Sequence, residues 1–139
     1  MLKKYIVSET IIIRTGKILI MDDEKLVRDV AGRMLERLGY EVDFAKDGNE
    51  AIELYKQAKD ASDPFDAVLI DLNIPQGMGG EETMQKLKKI DPAVKAIVFS
   101  GDTYHPLMID FRQYGFVGAI SKPFSFGELS YILNQAILV

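Results

Sequence analysis

The fold turns on Phe65-Asp66-Ala67-Val68-Leu69-Ile70-Asp71-Leu72-Asn73-Ile74-Pro75. Its centre, Ala67 to Ile70, is wholly apolar, too short for a helix, and enclosed by Pro64 and Pro75. That pattern predicts a strand buried on both faces, as in a parallel sheet. The run then stops on an aspartate. In open α/β sheets, ligands gather just outside the carboxyl ends of the strands, so Asp71 stands where chemistry is expected. Taken alone, Asp71 reads more plainly as a turn or cap residue. Three further strand-like runs that end on polar residues of complementary type shift the balance.

Lys17 to Met21 is a second buried-type strand and leads straight into Asp22-Asp23-Glu24. The helix after it shows Leu26, Val30, Met34 and Leu38 every four residues, with Val27, Ala31 and Leu35 beside them. Gly39 stands where a left-handed cap closes a helix. Glu41 to Ala45 alternates as a short strand. Asp47-Gly48-Asn49-Glu50 then offers acceptors for a helix start, and Ala51, Tyr55 and Ala58 with Ile52 and Leu54 give that helix an apolar face.

Beyond the opening strand, Pro75-Gln76-Gly77-Met78-Gly79-Gly80 is a glycine-rich loop that lacks the pattern of a phosphate cradle. Glu81 to Ile90 reads as a short helix with Met84, Leu87 and Ile90 inward. Ala93 to Phe99 is the next strand, ahead of Ser100-Gly101-Asp102. Pro106 suits the first turn of a helix carrying Leu107, Phe111 and Tyr114 and ending at Gly115. Phe116 to Ile120 forms a weaker last strand before Ser121-Lys122-Pro123. Ser125-Phe126-Gly127-Glu128 is a capping box for a final helix with Leu129, Ile132, Leu133, Ala136 and Ile137 apolar. Regular βα alternation implies a single-domain, five-stranded, doubly wound parallel sheet, flavodoxin-like with strand order 2-1-3-4-5.

At 139 residues the chain is one domain's worth. Apolar residues make up 47% and charged residues 27%, an ordinary globular balance. A net charge of −4 supplies no basic field for a phosphate backbone, which argues against nucleic-acid binding. Cysteine is absent, which excludes disulfides and thiolate metal sites and fits a reducing compartment. No apolar run is long enough to cross a membrane. Lys3-Lys4-Tyr5-Ile6-Val7 could begin a signal sequence, but Glu9, Arg14 and Lys17 interrupt any hydrophobic core, so the cytoplasm is the default. Residues 1–15 read as an N-terminal extension or linker, with an extra strand, a hairpin, an inter-domain connection and a leftover of cloning all open; residues 16–139 are the domain. An unpaired Ile11-Ile12-Ile13 would be sticky and is expected to pack on something, a second copy of the chain in a homodimer among the candidates.

In the predicted strand order, Asp22, Asp23, Asp71, Ser100 and Lys122 arrive at one edge of the sheet. Three carboxylates in one place do not ionise cheaply unless a cation joins them. A hard divalent ion with oxygen ligands, Mg²⁺ above all, matches such a set. A lysine adds fixed positive charge and a small hydroxyl adds a hydrogen bond, which together suit three phosphoryl oxygens. A carboxylate there can attack phosphorus in line and form an acyl phosphate.

At this point the sequence resembles the receiver domains of two-component signalling, over residues 16–138. The resemblance is carried by Asp22-Asp23, by Asp71-Leu72-Asn73-Ile74-Pro75, by Ser100-Gly101 and by Lys122-Pro123-Phe124. It implies that Asp71 is the phosphoacceptor. It also implies that Asp23 binds Mg²⁺ directly, that Asp22 acts largely through water, and that the Asn73 backbone carbonyl completes the protein ligands. Ser100 and Lys122 would take phosphoryl oxygens, while Asn73 and Asp102 fall where the family tunes hydrolysis of the acyl phosphate. The phosphoryl donor would be a phosphohistidine on a kinase or phosphotransfer domain, or a small acyl phosphate. Output would leave through the fourth and fifth helices.

Two departures stand out. The switch aromatic three residues before the lysine is Ala119 here, which leaves Tyr114 and Phe116 as stand-ins. The loop Pro75–Gly80 is one residue longer than the common form and lacks its aspartate; with Tyr114-Gly115-Phe116 it resembles receivers attached to hybrid sensor histidine kinases. His105, the only histidine, is expected at a loop or helix start rather than in a relay. Two rival readings are a pseudo-receiver acting only as a protein-binding or dimerisation module, and a Mg²⁺-dependent phosphohydrolase. The acidic pair and lysine oppose the first. Asn73 where a second acid is wanted, and no insertion long enough for a cap, oppose the second.

Overall fold

The computed structural model describes residues 5–7, 12–14 and 16–138, with side chains described from residue 16 to residue 137. Two short strands, β1 (Tyr5–Val7) and β2 (Ile12–Arg14), pair antiparallel with Ile6 opposite Ile13. Of the two element types open for the extension, the structure has the hairpin. The packing of Ile11–Ile13 lies outside the described residues.

The main sheet holds β3 (Gly16–Met21), β4 (Tyr40–Ala45), β5 (Ala67–Asp71), β6 (Ala96–Ser100) and β7 (Gly118–Ser121). All pairs are parallel and the order is β4-β3-β5-β6-β7, the flavodoxin-like order expected from the βα alternation. Every residue of β5 and β6 is buried, as continuous apolar runs require.

Strand alternation divides the core in two. Leu19, Met21, Val68, Ile70, Ala96 and Val98 face α2 (Gly48–Asp60), α3 (Gly80–Ile90) and α4 (Pro106–Ile109). Ile18, Ile20, Leu69, Ile97, Phe99 and Ile120 face α1 (Lys25–Arg37) and α5 (Phe126–Leu138). Burying each of these side chains larger than alanine is worth about 1.5–3 kcal/mol, which locks the register.

Caps fall where the sequence places them. The Asp47 carboxylate accepts the Glu50 N–H at 3.0 Å. Ser125 and Glu128 close their box with hydrogen bonds of 3.1 and 3.3 Å. Gly39 and Gly115 take φ of 94° and 92° after their helices. His105 is the N-cap of α4, its Nδ1 accepting the Leu107 N–H at 3.1 Å.

Two expectations need correction. The row Leu26–Val30–Met34–Leu38 does not all face the core, since Leu26 is 74% exposed and Val30 44%. A row of every fourth residue drifts by about 40° per step around a helix of 3.6 residues per turn. The buried direction of α1 centres instead on Ala31 and Leu35. The single helix expected from Pro106 to Tyr114 is also broken: α4 ends at Ile109, Asp110 leaves helical geometry at φ −112° and ψ 43°, and Phe111–Tyr114 is a 3₁₀ turn. Beyond Met108, Phe111 is the one apolar side chain here that packs on the core, and it does so only in part. Little buried area supports continuing the α-helix there.

Candidate functional site

Alternation that sorts the core also aims the polar residues. Ile18 and Ile20 are followed at the same phase by Asp22, Ala67 and Leu69 by Asp71, Ile97 by Phe99, and Ile120 by Lys122. One row crosses the carboxyl edge of the sheet on the α1/α5 side. Ser100, one residue out of phase with Phe99, continues the opposite face after Val98.

Carboxylate oxygens of Asp22, Asp23 and Asp71 lie within 4.8 Å of one another. Asp22 is fully buried and Asp71 is 3% exposed, whereas Asp23 is open to solvent. Each part of Asp22 is engaged. Its N–H donates to the Ala45 carbonyl at 3.0 Å, and its own carbonyl accepts from the Arg28 guanidinium at 2.8 Å. Of its two carboxylate oxygens, one accepts the Glu24 N–H at 2.8 Å and the other the Lys122 ammonium at 2.8 Å.

Lys122 reaches from beyond β7 to meet both acids, with Nζ 3.3 Å from an Asp71 oxygen. Burial disfavours its charge, but the hydrogen bond to Asp22 and the charges of Asp71 and Asp22 outweigh that, so Lys122 is held above the usual lysine range. For Asp71 the opposing forces resolve the other way. Burial first, then the Asp22 charge, raises its pKa to about 6 against the pull of Lys122 and the Asn73 N–H. An acid so shifted by burial and a neighbouring charge at a strand end is a candidate functional position.

Ser100 Oγ accepts the Asp102 N–H at 3.0 Å and the Asn73 side-chain amide at 3.4 Å. Asn73 links the hydroxyl to Asp71, since its own N–H donates to an Asp71 oxygen at 3.3 Å. The Asp102 carboxylate turns into its own loop and accepts the Tyr104 N–H at 3.2 Å, so it stays outside the acidic cluster. An open groove of about 620 Å³ adjoins Asp23, lined also by Lys46, Asp47, Pro75, Gln76 and Gly77. Ala119, in the usual place of the switch aromatic, pairs in register with Val98 and packs in part on the α2/α3/α4 side of the core.

The donor set suits a hard cation. The three carboxylate oxygens lie close enough together for one small divalent ion to be shared among them. Asp22, with both oxygens engaged, is suited to act through water, and exposed Asp23 to bind directly. The residues that sequence reading passed over are Arg28 and Phe99. Arg28 holds the carbonyl between the paired acids, and the Lys122 ammonium lies 4.7 Å from the centre of the Phe99 ring. No motif marks Phe99; it comes into view through the register that sets it opposite Asp71 on one side and Ile120 on the other.

A model of the response regulator receiver domain family matches residues 18–134. The chemotaxis protein CheY of Thermotoga maritima is 32% identical over 86% of this chain and 95% of its own length. The sensor histidine kinase AruS of Pseudomonas aeruginosa is 28% identical over 86% of this chain, which spans 12% of that kinase. Among solved structures, the receiver domain of another P. aeruginosa sensor histidine kinase, with magnesium in its active-site cleft, superposes with a TM-score of 0.79. It covers 90% of this chain and 99% of its own, at 24% identity. No described helix is long and apolar enough to cross a membrane.

Proposed function

Because the chain belongs to the response regulator receiver domain family, we propose that Asp71 is its phosphoacceptor, charged by a phosphohistidine on a kinase or phosphotransfer domain. Receiver domains are the phosphoaccepting modules of two-component signalling. The observation that carries the assignment of residues is the Lys122 ammonium, 2.8 Å from Asp22 and 3.3 Å from Asp71. It ties the two acids together where a phosphoryl group would arrive.

An Asp71 oxygen attacks phosphorus as the bond to the histidine nitrogen breaks. The product is an acyl phosphate, and the released imidazole nitrogen takes a proton from solvent. Lys122 exchanges its Asp71 contact for a phosphoryl oxygen, and the Ser100 hydroxyl, positioned by its two donors, donates a hydrogen bond to another. Mg²⁺, held by Asp23 and Asp71 with Asp22 through water and the Asn73 carbonyl, would neutralise the charge that builds on those oxygens. A purely protein-binding module would have no use for this convergence of buried acids and a lysine.

Residues 16–139 form the receiver in this reading and residues 1–15 an extension. The likeness to AruS and the Pro75–Gly80 loop support an origin in a hybrid sensor histidine kinase, with this domain in the cytoplasm and phosphorylation altering a protein-interaction surface. Incubation with Mg²⁺ and phosphoramidate tests the assignment. Intact-mass measurement should show a gain of about 80 Da, one phosphoryl group, that Asp71→Asn abolishes. An unchanged mass, or a gain that survives the substitution, overturns it.

A further inference from the structure

Lys122 has a long way to reach. It is rooted just after β7, yet its ammonium must arrive at Asp71 on β5 and Asp22 beyond β3, so it crosses β6. What it crosses is set by the β6 residue of the same phase. That residue is Phe99, in register with Asp71 on one side and with Ile120 on the other.

Its ring is fully buried and its centre lies 4.7 Å from Lys122 Nζ, inside the roughly 6 Å reach of a cation–π contact. Phe124, two residues past the lysine, packs against the same ring at 6.1 Å and 79°. That edge-to-face arrangement is one aromatic pairs favour. An ammonium has three donors. Two are directed to Asp22 and Asp71, and the negative face of Phe99 meets the group from the sheet side. We propose that Phe99 is a positioning residue for phosphoryl transfer: braced by Phe124, its ring holds the Lys122 ammonium between Asp22 and Asp71. The inference rests on the phosphoacceptor reading and adds to it a residue acting through the lysine.

A ring suits this task better than another polar group. During transfer Lys122 trades a carboxylate oxygen for a phosphoryl oxygen. A further hydrogen-bond acceptor beneath it would compete in that exchange. The aromatic face attracts the charge without a directed bond, and its own charge does not change as the partners do. A leucine of similar bulk would fill the core and offer the ammonium nothing.

The test separates the ring's electrostatics from its packing. Phe99 is replaced in the full chain by 4-fluoro- and by 3,4,5-trifluorophenylalanine, which keep the shape and progressively weaken the negative face. With Mg²⁺ saturating, the rate of phosphorylation by phosphoramidate should fall stepwise, to about one-fifth or less for the trifluoro variant, at unchanged unfolding temperature. Phe99→Leu should be as slow as the trifluoro variant. In a Lys122→Met background the series should be flat, because the partner of the ring is gone. Equal rates across the series, or the same decline without the lysine, would overturn the proposal. Proton NMR decides independently of turnover: the Lys122 Hε signals should lie upfield in the parent and return to the ordinary lysine position in Phe99→Leu. Unmoved signals would refute the contact, whereas failure of the parent to take up phosphate would count against the phosphoacceptor reading itself.

Discussion

Asp71 sits where burial and charge oppose one another. Its pKa of about 6 stands against 3.8 for an ordinary aspartate. Between those values the native protein holds a proton that the unfolded chain has lost, so acid favours the folded state. That advantage is complete below the lower value and disappears as pH rises through the upper one. At neutral pH the ionised Asp71 is therefore a stability cost. Asp71→Asn keeps the shape and removes the charge. In metal-free buffer it should stabilise the protein by on the order of 2 kcal/mol near pH 8 and by little near pH 4, read from urea midpoints at each pH. An equal gain at both pH values would show that ionisation is not the cause. Asp71, Asp22 and Lys122 were legible in the sequence because each closes or follows an apolar run whose end fixes its location. Phe99 was not, because its role appears only when the register of β6 against β5 and β7 is known.

At the scale of elements, the join between β5 and α3 carries a close backbone constraint near the site. A Cβ added to Gly80 would stand 2.7 Å from the Asp71 carbonyl oxygen and 3.1 Å from the Leu72 Cα. Both are backbone atoms, so no rotamer change relieves the contact. Propensity alone would favour alanine in this first helical turn by up to about 1 kcal/mol. The steric term should win, with Gly80→Ala losing about 2 kcal/mol in urea unfolding. It should also slow phosphoramidate labelling, because α3 can make room only by displacing the strand end that bears Asp71, the proposed acceptor. Gly101, with open space where a Cβ would go, supplies the control: its alanine variant should stay within about 0.5 kcal/mol. Parent-like stability in Gly80→Ala would mean that the helix shifts freely. The strands were easy to read since short apolar runs between breakers admit little else. The helices were read correctly where caps mark them, as at Asp47 and Ser125, and less well where tertiary contact decides, as in the break at Asp110 and the rotation of α1.

For the whole molecule, folding and the uptake of a divalent ion would be one equilibrium. Asp22 and Asp23 follow β3 and Asp71 ends β5, so their oxygens come within 4.8 Å only when the parallel sheet is formed. The unfolded chain has no equivalent site. Any divalent ion taken up there binds the native state alone and stabilises it by RT ln(1 + [L]/Kd), about 2.7 kcal/mol when the ion is at a hundred times its Kd. For a domain of this size each kcal/mol moves the midpoint by roughly 4 °C, so saturating Mg²⁺ should raise Tm by about 10 °C. Part of that work is already done by Lys122, which pairs with Asp22 and Asp71. The gain should consequently depend most on Asp23, the exposed acid that the lysine does not touch. Asp23→Ala should remove most of the Mg²⁺-dependent shift while leaving the midpoint in EDTA near that of the parent. Sodium chloride at matched ionic strength should give little, since screening acts weakly on a buried cluster. If sodium reproduces the shift, or if Asp23→Ala retains it, the three acids do not form a metal site. The folded sheet would then bring the carboxylates together without joining them through an ion.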